Sequence, residues 1–115
     1  MEITVIRTPV GLEVVRKAAA DGFGDMVKAV VDVERRVLAL GGELHADAER
    51  MLLEDGSRPD DLWGINLYPT RSRAEWIEFQ SLINIRPAQG NRSLTVENEP
   101  LRQQIAAMVN QLIRS

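Results

Sequence analysis

MVKAVVDVERRVLAL, residues 26–40, is the stretch that decides the fold, because it fits two secondary structures. As a helix it would begin after Asp25 and end at Gly41, with one apolar stripe formed by Met26, Val30, Val33, Val37 and Leu40. As a hairpin it would turn near Glu34 and Arg35. The hairpin is favoured, because valines lose rotamer freedom in helices and pack well in strands. Its turn has neither glycine nor asparagine, so the helix stays open as the alternative.

The hairpin interpretation also divides the side chains of this stretch between two faces. The predicted core face carries Ala29, Val31, Val33, Leu38 and Leu40, and the opposite face carries Lys28, Asp32 and Glu34. This alternation is typical of a strand pair that covers a core on one side. The stretch would then form the centre of a sheet.

The flanking segments supply the remaining elements. They are a strand at 3–6, a helix marked by Leu12, Val15 and Ala19, a helix at about 46–55, strands at 62–68 and 76–85, and a helix beginning near Asn98. The order β-α-β-β-α-β-β-α predicts an α+β fold, with a mostly antiparallel sheet and helices packed on one face. A chain of 115 residues suits a single domain that spans 1–115.

The strands at 62–68 and 76–85 should pair as a second hairpin, with Tyr68 opposite Trp76. The side chains expected to point inward are Trp63, Ile65, Leu67, Ile77, Phe79, Ile83 and Ile85. Tyr68 and Trp76 would then lie on the outer face. The same register brings Arg86 close to residue 58, which predicts a surface ion pair with Asp60 or Asp61.

Composition and charge exclude several classes of protein. The chain is 44% hydrophobic and 27% charged, with a net charge of −3, which argues against nucleic acid as a partner. It has no cysteine, so disulfides and thiolate chemistry are excluded. The first residues do not resemble a signal peptide, and no apolar run is long enough to span a membrane. We therefore expect a cytoplasmic protein without a membrane partner.

Four segments carry a resemblance to a known family. They are GDMVKAVVDVE (24–34), GGELHADAE (41–49), DLWGINLYP (61–69) and INIRPAQGNRS (83–93). These segments resemble a small prokaryotic family of uncharacterised proteins, domain of unknown function 5674. The resemblance covers most of the chain but implies no activity, substrate or catalytic residue. The candidate sites therefore rest on the chemistry of the residues.

The first candidate site is the polar loop at 86–93. Arginine offers a planar fork of donors for a carboxylate or phosphate, and glycine and asparagine tolerate the backbone of an anion-binding nest. The candidate ligand-binding residues are Arg86, Gln89, Gly90, Asn91, Arg92 and Ser93. The structural alternative is that Pro87 ends a strand, Gly90 and Asn91 make a turn, and the arginines are solvated or paired.

The second candidate site is the segment His45-Ala-Asp47-Ala-Glu49. His45, the only histidine, is a candidate general base, and Asp47 and Glu49 are possible metal ligands or supporting groups. One histidine with carboxylates would suit Mg²⁺ or Mn²⁺ better than zinc. The alternative is that Asp47 caps the helix, Glu49 complements its dipole and His45 is structural.

Two hypotheses for the function follow. The first is a domain that binds a small ligand or anion, with or without catalysis, at a site shared by the 86–93 loop and His45. The second is a non-catalytic interaction module that forms a homodimer. It would associate through the C-terminal helix or an outer sheet face formed by Val30, Tyr68, Trp76 and Leu82. No sequence feature identifies a cofactor.

Overall fold

The computed structural model describes residues 1–115, and its elements follow the predicted order with two additional short strands, at Val10–Gly11 and Ile113–Arg114. The strands are β1 (Ile3–Ile6), β2 (Val10–Gly11), β3 (Val27–Asp32), β4 (Val37–Gly41), β5 (Leu62–Leu67), β6 (Ile77–Glu78) and β7 (Ile113–Arg114). The helices are α1 (Leu12–Asp21), α2 (His45–Glu54) and α3 (Glu99–Leu112). Five strands form an antiparallel sheet in the order β1-β4-β3-β5-β6, and β2 pairs separately with β7. The predicted α+β fold with a mostly antiparallel sheet is confirmed.

Strands β3 and β4 confirm the hairpin interpretation of residues 26–40 over the helix. The turn is organised by Asp32, whose carboxylate accepts hydrogen bonds from the backbone N–H groups of Glu34 (3.0 Å) and Arg35 (2.8 Å). Arg36 takes a positive φ of 57°. An aspartate side chain therefore does the work that glycine or asparagine does in common two-residue turns.

The helices lie on both faces of the sheet, so the prediction of helices on one face is wrong. Helices α1 and α3 pack with Val31, Leu38 and Ile65 in the larger core, while α2 covers Val30 and Ala39 on the opposite face. The physical reason is that β3 and β4 are apolar at successive positions. A strand that is apolar on both faces needs cover on both faces.

Strand β6 is much shorter than the strand predicted at 76–85. Its register is the predicted one, since Leu67 opposes Ile77 and the Tyr68 N–H donates to the Trp76 carbonyl at 2.9 Å. Beyond Glu78 the chain leaves the sheet, and Ile85, predicted to point inward, is 44% exposed. Trp76, predicted on the outer face, is instead buried in the larger core.

The side chain of Asn84 takes the place of a strand where β6 ends. Its amide accepts a hydrogen bond from the Gly64 N–H (2.8 Å) and donates to the Gly64 carbonyl (2.9 Å). A Cβ atom at Gly64 would lie 2.5 Å from the Cβ of Ser81, so only glycine fits. The 3₁₀ turn Leu82–Asn84 can therefore rest directly against β5.

Two helix starts follow the expected chemistry. The Asn98 side chain accepts a hydrogen bond from the Leu101 N–H (2.9 Å), so the predicted start of α3 is confirmed. Helix α2 begins at His45, and the Asp47 carboxylate reaches back to the Leu44 N–H at 3.3 Å. None of the three helices combines the length and apolar content that a membrane span requires.

Candidate functional site

The guanidinium of Arg86 is held by contacts within the protein. It donates to the carbonyls of Ile83 (3.1 Å) and Pro59 (2.9 Å), and it lies over the Trp63 ring at 4.8 Å. The same group forms an ion pair with Glu49 at 3.5 Å. Burial lowers the pKa of Arg86, and the Glu49 carboxylate opposes that shift. The Arg86 fork is therefore a structural clamp between the loop, α2 and the segment before β5.

The predicted ion pair between Arg86 and Asp60 or Asp61 is wrong. The predicted register does bring Arg86 to the correct stretch, because it bonds the Pro59 carbonyl and the Gln89 amide bonds the Asp60 carbonyl at 3.1 Å. The ionic partner comes from α2 instead. The sequence did not show where α2 lies relative to this loop, so it missed Glu49.

The amide of Asn91 holds the rest of the loop together. It donates to the carbonyls of Asn84 (2.8 Å) and Thr95 (2.8 Å) and accepts from the Glu97 N–H (2.8 Å). Gly90 sits in the left-handed region at φ 80°, as expected for a turn glycine. Asn91 is buried, so its amide stabilises the loop from inside and does not face the solvent.

The loop does cradle an anion, but the anion is the carboxylate of Glu97. One Glu97 oxygen accepts from the backbone N–H groups of Arg92 (3.0 Å) and Ser93 (2.9 Å) and from the Ser93 hydroxyl (2.8 Å). The Ser93 hydroxyl, followed by the Arg92 N–H, lowers the pKa of Glu97. The backbone N–H groups of Arg92 and Ser93 and the Ser93 hydroxyl are thus filled by the chain itself, whereas the Arg92 guanidinium makes no hydrogen bond or ion pair within the protein.

His45 is buried at the first turn of α2 with a defined tautomer. Its Nε2 lies 2.8 Å from the Ile65 carbonyl oxygen. Because a carbonyl can only accept, Nε2 carries the proton and Nδ1 is the basic nitrogen. Burial lowers the pKa of His45, and the bond to Ile65 opposes the shift. The imidazole is therefore neutral at pH 7.

His45 and the loop residues Gln89, Gly90 and Asn91 line different cavities, while Arg86 of the same loop pairs with Glu49, four residues after His45 on α2. The loop, through Gln89, Gly90 and Asn91, borders an open cavity of about 690 Å³ beside the start of α3. His45 borders a cavity of about 380 Å³ on the α2 side of the sheet. We call the second one the His45 cavity; its polar lining residues are Lys28, His45, Asn66, Glu78, Gln80 and Ser81.

The polar residues of the His45 cavity form a row across three strands. Lys28 of β3 opposes Asn66 of β5, and Asn66 opposes Glu78 of β6. Asn66 donates to the Glu78 carboxylate (2.8 Å) and the Gln80 carbonyl (3.2 Å). Since both partners only accept, the orientation of the amide is fixed. Its Oδ1 is the one buried side-chain polar atom without a hydrogen-bond partner.

Large apolar side chains surround the His45 cavity at the surface. Leu44 is 57% exposed, Leu82 77% and Leu94 41%. Met26 and Ile83 line the cavity beside them. Single exposed leucines are normal, but three around one cavity form a local apolar rim. This arrangement was not predicted from the sequence, because residues 82–85 were expected to lie in a strand.

The family model described as "Protein of unknown function (DUF5674)" matches residues 4–112. The chain belongs to this family. Neither the curated proteins nor the solved structures gave a match. The resemblance carried by the four quoted segments is therefore confirmed, and the geometry of the chain supplies the functional argument.

The outer sheet face proposed for a homodimer does not exist as a surface. Val30 is buried beneath α2, and Trp76 is buried in the larger core, where its indole N–H donates to Asn110 at 3.0 Å. Tyr68 is half-buried, and only Leu82 is exposed. The four residues named for that interface therefore give no continuous apolar patch.

The possible metal ligands are also dispersed. Asp47 bonds the Leu44 N–H, and Glu49 pairs with Arg86. No group of three or more histidine, aspartate or glutamate side chains is gathered in a way that could hold a metal ion. Asp47 thus takes the capping role of the structural alternative, whereas Glu49 forms an ion pair that was not predicted.

Proposed function

We propose that this protein binds a small amphipathic molecule in the His45 cavity. The observation that carries the proposal is the combination of an exposed leucine rim with convergent polar groups beneath it. Small-molecule sites are typically concave and mostly apolar, with a few polar groups that orient the ligand. The cavity volume of about 380 Å³ lies within the range of about 300–1,000 Å³ common for such sites.

The apolar rim supplies the driving force for binding. Leu44, Leu82 and Leu94 present apolar area to water, and each Å² that a ligand covers contributes about 25 cal/mol. The polar row supplies orientation. Asn66 lies beside the His45 imidazole and raises its pKa, yet its buried Oδ1 accepts no hydrogen bond, and a buried polar group without a partner is costly.

His45 adds a neutral imidazole to this cavity at pH 7. Its Nδ1 is the nitrogen that can accept a hydrogen bond or a proton, because Nε2–H is committed to Ile65. A perturbed pKa in a cavity is a common property of functional histidines. A proton-transfer role for His45 is thus compatible with binding, and ligand binding is the primary proposal.

In this proposal the 86–93 loop shapes the cavity from a distance. Asn91 bonds the main chain of Asn84, and Asn84 donates to the Leu94 carbonyl at 3.1 Å. Leu94 also accepts from the Ser81 N–H at 3.1 Å. These bonds keep the segments 81–83 and 94 together at the cavity. The polar loop then positions the rim rather than contacting the ligand.

The test is a ligand-observed NMR screen with a mixture of apolar amino acids, their amides, short fatty acids and aromatic amines. Ala46 is exposed and lines the cavity, so Ala46→Trp should block it with little effect on folding. Ala88→Trp, at an exposed position outside the cavity, is the matched control. We expect saturable binding that Ala46→Trp abolishes and Ala88→Trp preserves. Binding unaffected by Ala46→Trp, or no binding by any class, would refute the proposal.

A further inference from the structure

We infer that the ligand of the His45 cavity is a zwitterion with an apolar body, such as an apolar amino acid or short peptide. This inference rests on the proposed function, since it names the chemistry of the ligand for the same site. The argument depends on two opposite charges that share the cavity without pairing with each other.

Lys28 and Glu78 lie on the same face of the sheet, with Asn66 between them. Adjacent strands are about 4.8 Å apart, so the main chains of β3 and β6 are separated by about 10 Å at this row. Neither residue has an ionic partner within 4.0 Å, although six other ion pairs occur in the protein. Two unpaired charges of opposite sign thus border one cavity.

Each charge retains capacity for a ligand. The Lys28 ammonium has three donors; it makes one hydrogen bond, to the Glu43 carbonyl at 2.9 Å, and lies 5.2 Å from the centre of the Phe23 ring. Glu78 receives Asn66 Nδ2 (2.8 Å) and the Tyr68 hydroxyl (3.3 Å) on one oxygen, Oε1. The other oxygen has no hydrogen bond from the protein. The cavity can therefore donate at the Lys28 end and accept at the Glu78 end.

A ligand with a single charge would fit this arrangement less well. A simple anion would gain from Lys28 but would bring its charge towards Glu78, and a simple cation would meet the reverse problem. Both residues line the cavity together with His45, and they act on its pKa in opposite directions: Lys28 lowers it and Glu78 raises it. A zwitterion satisfies both ends, with its carboxylate at Lys28 and its ammonium at Glu78.

The test compares three probes of similar shape by calorimetric titration: leucine, leucinamide, which lacks the carboxylate, and 4-methylpentanoate, which lacks the ammonium. Leucyl-leucine extends the series to a greater charge separation. We expect at least one zwitterion to bind about tenfold more tightly than either single-charge analogue, as expected for one charge-assisted hydrogen bond.

Two variants test which charged group of the ligand binds at Lys28 and which binds at Glu78. Lys28→Met keeps the side-chain stem and should remove the preference for leucine over leucinamide. Glu78→Gln keeps an acceptor for Asn66 and should remove the preference for leucine over 4-methylpentanoate. Lys17→Met, at an exposed position on α1 outside this cavity, is the control and should change neither preference. Thermal unfolding of each variant would verify that it is folded.

The outcomes separate this inference from the proposed function. Equal or tighter binding by leucinamide or 4-methylpentanoate would overturn the zwitterion and leave cavity binding intact. A cavity ligand of another class from the NMR screen, with none of the zwitterions bound, would do the same. Failure of every compound to bind in an Ala46→Trp-sensitive manner would overturn both.

Discussion

Replacing Asn84 with alanine should remove the side chain that acts as a partner strand for β5. The amide bonds both main-chain groups of Gly64, at 2.8 and 2.9 Å, and the Leu94 carbonyl at 3.1 Å. Leu94 keeps a second hydrogen bond, from the Ser81 N–H. Gly64 has no second hydrogen-bond partner at this edge, so Asn84→Ala leaves the Gly64 N–H and carbonyl unsatisfied in the interior.

The expected cost follows from those two orphaned groups. An unsatisfied buried main-chain group costs about 1–3 kcal/mol, so orphaning two of them in Asn84→Ala should lower the free energy of unfolding by about 2–6 kcal/mol. Asn84 is fully buried, so water cannot replace the amide without entering the protein. Because small domains are stable by about 5–15 kcal/mol, the loss is a large fraction of the total.

Urea unfolding followed by tryptophan fluorescence would measure this loss, because Trp63 and Trp76 are both buried. Gln103→Ala, at an exposed position of α3, is the control and should change the free energy of unfolding little. Asn84→Asp keeps the acceptor for the Gly64 N–H but sets a carboxylate against two carbonyls, so its loss at pH 7 should match or exceed that of alanine. A loss below about 1 kcal/mol in Asn84→Ala, with an unchanged m value, would show that Asn84 is not the strand partner.

Three further predictions concern stability. Gly64→Ala should destabilise the protein by about 1–3 kcal/mol, because the added Cβ would clash with Ser81. Adding Ser81→Gly to the same chain should restore part of the lost stability in thermal unfolding. No recovery would contradict the clash. The free energy of unfolding should fall as the pH drops from 7 towards 5, because His45 is protonated at its ordinary pKa of 6.5 in the unfolded chain and only at lower pH in the native protein. Urea titrations should show a weaker pH dependence for His45→Gln, and an unchanged pH dependence would contradict the prediction. Arg7 and Arg35 hold the pKa of Asp55 at about 2, below its ordinary 3.8, so the Asp55 carboxylate stabilises the protein above pH 4 and this stabilisation is lost between pH 4 and 2. Asp55→Asn should make acid unfolding less steep in that pH range, and an equally steep curve would argue against these ion pairs.

The parts of the fold that follow a local pattern could be predicted from the sequence. The β-branched residues of β1, the alternation in β5 and the valines of β3 identify strands, and Asn98 marks the start of α3 through its capping side chain. The second hairpin kept its predicted register at Leu67 and Ile77. In each case the determining interaction lies within a few residues or across one turn.

The parts that depend on distant contacts could not be predicted in the same way. The strand pattern of 76–85 continues in the sequence, but the turn at Leu82–Asn84 rests on Gly64, twenty residues before Asn84. The position of α2 had a usable signal in Val30 and Ala39, which are apolar on the second face of the hairpin. Recognising that signal would have placed a helix on each side of the sheet.

The candidate site shows the same division. Polar content identified the 86–93 loop and His45, but it could not distinguish side chains that hold a loop from side chains that meet a ligand. The row of Lys28, Asn66 and Glu78 depends on the register of three strands. The predicted register already aligned Asn66 with Glu78, so half of that row could have been found from the sequence.

The Glu97 carboxylate competes with any anion in solution for the backbone donors of the 86–93 loop. Its carboxylate is joined by only a few residues to Arg92 and Ser93, whose N–H groups it fills. A tethered group of this kind competes at an effective concentration on the order of millimolar or higher. A free phosphate or carboxylate with no other contact would therefore have to exceed that concentration to occupy the loop. The backbone donors of the loop are therefore already occupied by the Glu97 carboxylate, and buffer anions should leave the loop unchanged.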